Sequence, residues 1–339
     1  MVKAAIVDGY GKVISVFKGN VVVCQMVGGK KARKVINIAD VDRLIITTSG
    51  VAVTSRALRV LARYGVDLVV LDASGCPITV LTPPWITATV EARRGQYLAY
   101  ADQVKALEIA KAFACAKIEN QSAYLRYLSK MVGEKALQEE AEKVLEMKRR
   151  VQGVSGALDE ARKEIMSLEG TAARLYWGAI ATVLPRDLGF DGRDQDGLDP
   201  VNRALNYLYG VLYSECFKAL TRVGLDPYAG FLHSDRSGNP TLVFDFVEMF
   251  RVSAVDSLLV RLFKDLNLRI SIDSRGFIAR ESRVVLVQEF FKWISRKARD
   301  SRGEVKELEA HIKSCAIKMA RFFRHSLGEP PIFVEVWWS

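Results

Sequence analysis

At Thr82-Pro83-Pro84-Trp85-Ile86-Thr87 the 339-residue chain changes its hydrophobic pattern. Proline continues neither a helix nor a central strand, and two in succession stiffen a connection. Short β-branched runs precede this segment, whereas apolar residues recur at helical spacing after Glu91. The sequence therefore predicts an α+β fold, with a small β-rich domain at residues 1–82, a linker at residues 83–90 and a larger all-α domain at residues 91–339.

The part before the prolines is typical of short strands joined by turns. Asp8-Gly9-Tyr10-Gly11 and Gly28-Gly29-Lys30-Lys31 are two of the turn-forming stretches between them. One helix is expected at residues 55–63, where arginines follow a helical period and Gly65 supplies the stop. The predicted strands are residues 4–7, 13–17, 21–26, 35–38, 44–48, 66–71 and 78–81.

The part after the prolines is predominantly helical. One irregular segment interrupts it, residues 224–240, which is rich in turn-forming residues. An irregular segment of this length inside a helical domain is often functional. The predicted helices are residues 96–131, 134–154, 157–183, 200–223, 244–266, 283–299 and 303–326.

The charge distribution favours a nucleic-acid partner. The chain carries 49 basic and 39 acidic residues, a net charge of +10. Residues 1–85 hold eleven Lys/Arg, five Asp and no Glu, and residues 283–324 hold eleven basic and five acidic residues. Two basic zones that flank a nearly neutral middle suit a polyanion. An ordinary solvated basic surface is the alternative interpretation.

Composition excludes several classes of protein. Half of the residues are hydrophobic, so wholesale disorder is not expected. Prolines break the longest uncharged stretch, and Asp8 and Gly9 fall inside the core that a signal peptide would need. The five cysteines are widely spaced, without a CxxC pair. We therefore expect no membrane span, a cytoplasmic location and cysteines that are buried and reduced.

Three histidines are present, and His233 is the one most suited to chemistry. It lies in the irregular segment, whereas His311 and His325 lie in a basic helix and are expected to face the surface or a phosphate. Asp245 and Glu248 follow it one helical turn apart. A histidine with carboxylates is a ligand set for Mg²⁺, Mn²⁺ or Zn²⁺.

A purely structural interpretation of these residues is also open. Asp245 is suited to stabilising a helix start, and Glu248 is suited to an i,i+3 ion pair with Arg251. His233 would then bond a nearby carbonyl group. The spacing alone does not choose between this interpretation and a metal site.

Two further clusters lie earlier in the helical part. Glu169 begins a segment whose small residues allow other backbones to approach closely. Asn202, Asn206 and Tyr209 form a polar stripe on an apolar helix. Such a stripe is either a hydrogen-bond network between packed elements or part of a site.

Together these clusters are similar to a known family. Residues 169–177 spell Glu-Gly-x-x-Ala-Arg-x-Tyr-Trp, and residues 202–209 spell Asn-x-x-x-Asn-Tyr-x-Tyr. Gly-Phe-Leu-His at residues 230–233 precedes Phe-Asp-x-x-Glu-x-Phe-Arg at residues 244–251. In this order they resemble the CRISPR-associated (Cas) adaptation integrases, which insert new spacers into a CRISPR array. Lys117-Ile118-Glu119-Asn120-Gln121 adds to the resemblance.

The resemblance implies a site and its partners. It implies that Glu169, His233 and Glu248 bind Mg²⁺ or Mn²⁺, with Asp245 as a further catalytic residue. Asn202, Asn206, Tyr209 and Arg251 are implied as supporting residues. It also implies double-stranded prespacer DNA and the array as substrates, a homodimer through the β domain, and a small partner Cas protein.

Residue chemistry leaves two other functions open. One is a non-catalytic scaffold that binds nucleic acid, in which the acidic residues support helix packing. The other is a DNA-repair nuclease unrelated to CRISPR. A scaffold has no need of three convergent metal-type ligands, so the geometry of Glu169, His233 and Glu248 bears on the first alternative. The neighbourhood of the gene bears on the second.

Overall fold

The structure, a computed structural model, describes residues 4–28, 30–81, 90–325 and 328–337. Within these ranges strands dominate the first part and helices the second, which confirms the predicted α+β class. The predicted linker lies outside the described residues except for Val90, which is the first residue of a helix.

The amino-terminal part contains eight strands and one α-helix among its described residues. A 3₁₀ turn at Ile38–Asp40 lies between the fourth and fifth strands. The elements are β1 (Ala4–Val7), β2 (Lys12–Phe17), β3 (Asn20–Val27), β4 (Lys30–Ile36), β5 (Arg43–Ile46), β6 (Val51–Val53), α1 (Ser55–Arg63), β7 (Asp67–Leu71) and β8 (Pro77–Leu81).

These strands form two four-stranded sheets with α1 packed against both. One sheet has the order β1-β5-β7-β8. Its first three strands are parallel, and the edge strand β8 is antiparallel to β7. The other has the order β4-β3-β2-β6, antiparallel except for the parallel pair β2 and β6. Ala57 and Leu61 of α1 are buried in a core that includes Ile14, Val21 and Leu44. The apolar face of this arginine-rich helix thus completes the hydrophobic core of the amino-terminal part.

Two strands differ from the sequence prediction. β4 begins at Lys30 rather than at residue 35, and the three-residue β6 was not predicted. All residues of β4 except Ile36 are exposed, and Lys30, Lys31, Arg33 and Lys34 give it charge. Charged side chains at an exposed sheet edge oppose unwanted pairing, so this strand lacks the alternating apolar pattern from which strands are predicted.

The carboxy-terminal part contains long helices. Two π-helical turns, Val252–Asp256 and Arg261–Asp265, flank a short helix, and a 3₁₀ turn lies at Arg186–Leu188. The α-helices are α2 (Val90–Ala101), α3 (Gln103–Val132), α4 (Lys135–Gly153), α5 (Leu158–Val183), α6 (Pro200–Arg222), α7 (Thr241–Glu248), α8 (Ser257–Val260), α9 (Arg280–Ile294) and α10 (Leu308–His325).

Helix α3 is the central element of this part. It packs against α4, α5 and α7, and α7 also packs against α6. Asp102 caps its start by accepting hydrogen bonds from the backbone N–H groups of Val104 and Lys105. Gly133 ends it in the left-handed conformation, with φ of 76°. Side chains on α3, α5 and α7 are thereby brought to one place.

The helical part also contains a small sheet. β9 (Lys297–Asp300) pairs with β10 (Val305–Glu307) and with β11 (Glu335–Val336), both antiparallel. The predicted all-α domain and the helices predicted at residues 283–299 and 303–326 therefore need correction at this point. Asp300 accepts hydrogen bonds from the backbone N–H groups of Arg302 and Glu304, which fixes a hairpin turn.

A cluster of buried charged side chains joins the two parts. Arg43 of β5 pairs with Glu215 of α6 and donates a hydrogen bond of 2.6 Å from Nη2 to Glu309 Oε1 of α10. Lys218 Nζ lies 3.0 Å from Glu215 Oε2 and 3.6 Å from Asp67 Oδ2 of β7. We call these five residues the interface cluster.

Two glycines bring a turn of the first part against α6. Gly75, in the turn between β7 and β8, has φ of 88°. A Cβ atom at Gly75 would lie 2.4 Å from the carbonyl oxygen of Tyr207. A Cβ atom at Gly210 would lie 2.2 Å from the carbonyl oxygen of Gly75. The contact is therefore made by two backbones that touch.

The cysteines are free, and four of the five are buried. Cys76 is exposed, contrary to the expectation that all would be buried. Its neighbour Gly75 is buried against α6, but Cys76 itself is exposed. Within the described ranges, no helix combines the length and the apolar character that a membrane span requires.

Candidate functional site

Three helices bring two carboxylates and one ammonium group together. Lys117 lies on α3, Glu169 on α5 and Glu248 at the end of α7. The Lys117 ammonium donates a hydrogen bond to Glu169 Oε1, and its Nζ lies 2.6 Å from Glu248 Oε2. Two predicted ligands from segments far apart in sequence thus share one cation.

His233 stands beside them in a loop that Asp245 fixes. The Asp245 carboxylate is fully buried and accepts hydrogen bonds from the backbone N–H groups of Phe231, Leu232 and His233, at 2.5, 2.9 and 2.9 Å. Its Oδ1 also lies 2.7 Å from His233 Nδ1. Engaging Nδ1 in this bond assigns any ligand binding to Nε2, which is the usual arrangement of a metal-binding histidine.

Arg251 supports Glu248 from the other side. Its Nη2 lies 3.0 Å from Glu248 Oε1 and donates a hydrogen bond of 2.9 Å to the Tyr213 hydroxyl. The guanidinium lies 4.5 Å from the centre of the Tyr209 ring. We call Lys117, Glu169, His233, Asp245, Glu248 and Arg251 the site cluster.

The charges of the site cluster stabilise one another. Burial alone would lower the pKa of Lys117, but the charges of Glu169 and Glu248 raise it. Burial would raise the pKa of Glu248, but Arg251 and Lys117 lower it. For His233, the lowering by burial is outweighed by its bond to Asp245 and by the nearby carboxylates, so its pKa is raised. The cluster therefore favours ionised carboxylates around a cation.

Tyr209 belongs to a layer beneath the cluster. Its hydroxyl donates a hydrogen bond of 2.7 Å to Asp256 Oδ1, and Asp256 is buried in the first π-helical turn. Burial raises the pKa of Asp256 to about 6, although Tyr209 and Arg251 counteract the rise. Tyr209 thus contacts Arg251 rather than the carboxylates of Glu169 and Glu248. π-Helical turns are frequent near functional sites.

Asn202 and Asn206 hold a loop instead. Asn202 Oδ1 accepts hydrogen bonds from Arg193 and from the backbone N–H of Asp194, and its Nδ2 donates to the Gly192 carbonyl. Asn206 Oδ1 accepts from Arg193, and its Nδ2 donates to the Gln195 carbonyl. These contacts favour the packing network over a direct place in the site.

The structural interpretation of the acidic pair is realised in part. The i,i+3 ion pair of Glu248 and Arg251 is present. Asp245 does not stabilise a helix start, because α7 begins four residues earlier at Thr241. His233 bonds a carboxylate rather than a carbonyl group.

The other two histidines differ from each other. His325 is exposed in the last turn of α10, as expected. His311 is buried, and its Nε2 lies 3.0 Å from the Ala298 carbonyl oxygen. The expectation that it faces the surface or a phosphate is wrong, because β9 covers this side of α10.

Sequence reasoning gave Lys117 and Asn120 no role in the site. The buried Asn120 donates hydrogen bonds to the carbonyl groups of Met249, which follows Glu248, and Phe333, and it accepts one from the backbone N–H of Glu335. It ties α3 to the end of α7 and to the last strand. Both residues lie in the segment of residues 117–121, and that segment was the only signal for them.

The donor set suits a divalent cation. Two carboxylates already converge on a cation, an imidazole stands beside them, and Glu248 Oε2 is buried without a well-formed hydrogen bond. Carboxylate oxygens with one imidazole nitrogen are ligands for Mg²⁺ or Mn²⁺. The Lys117 ammonium lies between the two carboxylates, so the oxygens of Glu169 and Glu248 surround this ammonium and not a metal position.

One other group of potential ligands is present. Among the described residues, Asp300, Glu304 and His311 form the group of three whose ligand atoms lie within 4.8 Å of one another. Asp300 is engaged by the backbone of the hairpin turn, and Glu304 pairs with Lys306. The ligand atoms of Glu169, His233 and Glu248 do not all lie within 4.8 Å of one another, and the Lys117 ammonium lies between the two carboxylates.

Known proteins are similar to this chain in sequence and in fold. A protein of Saccharolobus solfataricus described as CRISPR-associated endonuclease Cas1 2 is 34% identical over 324 residues, 95% of each chain. A solved structure described as a casposase bound to integration product has a TM-score of 0.81 and 25% identity, over 97% of this chain and 92% of the other. A chain of a Cas6-RT-Cas1–Cas2 complex has a TM-score of 0.75 and 19% identity, over 99% of this chain and 36% of the other, and it shares the fold.

The family model agrees with these relatives. The model described as CRISPR associated protein Cas1 matches residues 5–298, which span the β-rich part, all six residues of the site cluster and most of the helices. The order of motifs at residues 169–177, 202–209, 230–233 and 244–251 gave the same resemblance. The chain belongs to the Cas1 family of CRISPR-associated proteins.

Proposed function

We propose that the chain is a divalent-metal-dependent DNA endonuclease and integrase that inserts new spacer DNA into a CRISPR array. The observation that carries the proposal is the convergence of Glu169 and Glu248 on one cation beside His233. In this proposal Glu169, His233 and Glu248 bind Mg²⁺ or Mn²⁺. The names of the relatives, an endonuclease and a casposase with its integration product, support the reaction class.

Asp245 and Arg251 have proposed parts in positioning the ligands of the metal ion. A bound Mg²⁺ or Mn²⁺ would polarise the target phosphate and stabilise the leaving oxygen. Asp245 holds the His233 imidazole in one orientation through Nδ1. Arg251 fixes the Glu248 carboxylate through Oε1. The attacking group is a DNA 3′ hydroxyl in integration and water in cleavage, and the bond that breaks is a phosphodiester.

A cleft beside the site cluster suits a DNA strand. It has a volume of about 590 Å³ and is lined by Tyr213, Phe217, Tyr228 and Phe244, with Asn239 among the polar residues. Tyr213 contacts Arg251, and Phe244 contacts the His233 ring. Aromatic faces of this kind stack unpaired bases, while the net charge of +10 attracts the backbone.

The proposed assembly is a homodimer through residues 1–82, joined to a small partner Cas protein. The sheet β4-β3-β2-β6 supports the dimer, because Phe17, Met26, Val27 and Val35 are exposed on its strands. Exposed apolar side chains suit contact with a second copy. The relative from the Cas6-RT-Cas1–Cas2 complex supports the partner.

The decisive test separates catalysis from DNA binding. We expect His233→Ala and Glu248→Ala to abolish Mn²⁺-dependent strand transfer and cleavage of a labelled duplex while DNA affinity changes by less than about threefold, because the basic zones lie elsewhere. His325→Ala and Glu304→Ala are the controls, since both residues are exposed.

Each outcome of this test has a meaning. Full activity in His233→Ala would refute the site. DNA binding by the wild-type protein without metal-dependent chemistry would favour the scaffold. Cleavage without strand transfer into array DNA would favour a repair nuclease.

A further inference from the structure

Lys117 is the residue of the site cluster that metal chemistry does not explain. Its ammonium contacts both Glu169 and Glu248, and its side chain is buried for all but 12% of its surface. The oxygens that it contacts belong to the residues proposed to bind the divalent ion. An ammonium and a metal ion therefore compete for the same two carboxylates.

The physical reason for a cation at this position is the repulsion between the carboxylates. Glu248 is buried and Glu169 nearly so, and two such groups close together disfavour their ionised forms unless a positive charge lies between them. Arg251 pairs with Glu248 Oε1 but forms no ion pair with Glu169 among the described residues. Lys117 is thus the cation that joins the pair.

The side chain is also suited to leaving. A lysine is a point charge on a flexible four-carbon stem, whereas an arginine binds carboxylates through a rigid fork. Lys117 reaches the cluster from α3, whose backbone is anchored by Asn120 to the residue after Glu248. We therefore expect the ammonium to withdraw by rotation of the Lys117 side chain while α3 stays anchored.

We propose that Lys117 is a built-in counter-ion, which holds Glu169 and Glu248 together in the metal-free protein and which the divalent ion must displace. The inference rests on the proposed function, because it assumes that the ion binds at those carboxylates. Its consequence is that Lys117 weakens metal affinity while it stabilises the protein without metal. A residue that merely positions metal ligands would have the opposite effect on affinity.

The first experiment measures binding of Mn²⁺ to the full chain by isothermal titration calorimetry, without DNA. We expect the Kd for Mn²⁺ to fall at least tenfold in Lys117→Met. The melting temperature without metal should drop, and saturating Mn²⁺ should restore most of the loss. Lys148→Met is the matched control, because it removes a similar lysine–glutamate pair, with Glu119, outside the site. An unchanged or higher Kd in Lys117→Met would overturn the inference.

A second measurement uses the wild-type protein, in case Lys117→Met does not fold. In protein labelled with ¹⁵N-lysine, the Nζ signal that Lys117→Arg removes should shift as Mg²⁺ is added. A signal that stays unchanged at saturating Mg²⁺ would contradict displacement.

Failure of the inference and failure of the proposed site give different results. If Glu248→Gln and His233→Ala leave Mn²⁺ affinity unchanged, the proposed site is wrong. If both abolish binding but Lys117→Met does not tighten it, the site stands and Lys117 is not a competitor.

Discussion

The site cluster and the interface cluster are built from the same kinds of side chain, but they differ in access to solvent. In the interface cluster each side chain is at most 4% exposed, Arg43 and Asp67 being at 0%. In the site cluster Lys117, Glu169, Arg251 and His233 are between 12% and 26% exposed. A cluster closed to solvent retains the side-chain cations of the chain as counter-ions. A partly exposed cluster is accessible to ions from solution.

The two clusters also differ in charge balance. The interface cluster has two cations for three carboxylates, and Arg222 and Lys313 at its rim add two more through Asp67 and Glu309. The site cluster has two cations for three carboxylates when His233 is neutral, and no further cation of the described residues contacts them. Buried charge is thus common to the proposed site and to a structural cluster. Partial exposure and fewer cations distinguish the site cluster from the interface cluster.

The largest expected effect comes from opening the sealed cluster. Arg43→Met leaves Glu215 and Glu309 buried without their main partner. We expect the free energy of unfolding to fall by about 3–5 kcal/mol, measured by urea denaturation. Arg222→Met is the control, since Arg222 is about half exposed, and it should cost less than about 1 kcal/mol. Equal losses in the two variants would remove the distinction between sealed and open pairs.

The next effect concerns Asp245, which with Glu248 is as deeply buried as the residues of the interface cluster. Asp245→Ala removes the acceptor for three backbone N–H groups and releases the His233 loop. A loss of about 2–4 kcal/mol is expected, because each bond to a charged acceptor contributes and the donors stay buried. Asp235→Ala, an exposed change in the same segment, should cost less than about 1 kcal/mol. A negligible loss in Asp245→Ala would show that the loop is held by other contacts.

A smaller effect is expected at Asp256, a buried carboxylate whose hydrogen bond comes from a tyrosine rather than from a cation. Its pKa of about 6 in the folded protein exceeds the ordinary 3.8. Between these values the folded state binds more protons than the unfolded state, so stability falls as pH rises through that window. Asp256→Asn should flatten this slope and raise stability at pH 7 by about 1–2 kcal/mol. An unchanged slope in urea titrations from pH 4 to pH 7 would contradict the assignment.

Sequence reasoning reached some of these features because their causes are local. The i,i+3 pair of Glu248 and Arg251 follows from helix geometry, and β-branched runs such as residues 21–26 predict strands. The role of Lys117 depends on how α3, α5 and α7 pack, which no local pattern encodes. β9, Lys-Ala-Arg-Asp, has no strand pattern and exists because residues 305–307 and 335–336 pair with it.

The contacts of Asp245 also depend on tertiary structure. Its acidic type and its spacing from Glu248 left both a site and a structural role open, and only the family resemblance implied a catalytic role. Its bonds to backbone N–H groups of residues 231–233, however, depend on a loop conformation that side-chain chemistry does not reveal. Asn202 and Asn206 show the converse, since a polar stripe resembling a site binds a loop.

The contact between Gly75 and Gly210 limits how the protein can vary. Most packing contacts tolerate a change because a neighbouring side chain rotates away, but here both obstacles are carbonyl oxygens of the main chain. Alanine at either position would have to push two backbones apart, and α6 would move with them. Helix α6 bears Glu215 and Lys218 of the interface cluster. It also bears Tyr209 and Tyr213, which contact Arg251 of the site cluster. A substitution at Gly75 or Gly210 would therefore displace residues of both clusters at once. These two glycines thus restrict how far the sequence of the whole molecule can diverge.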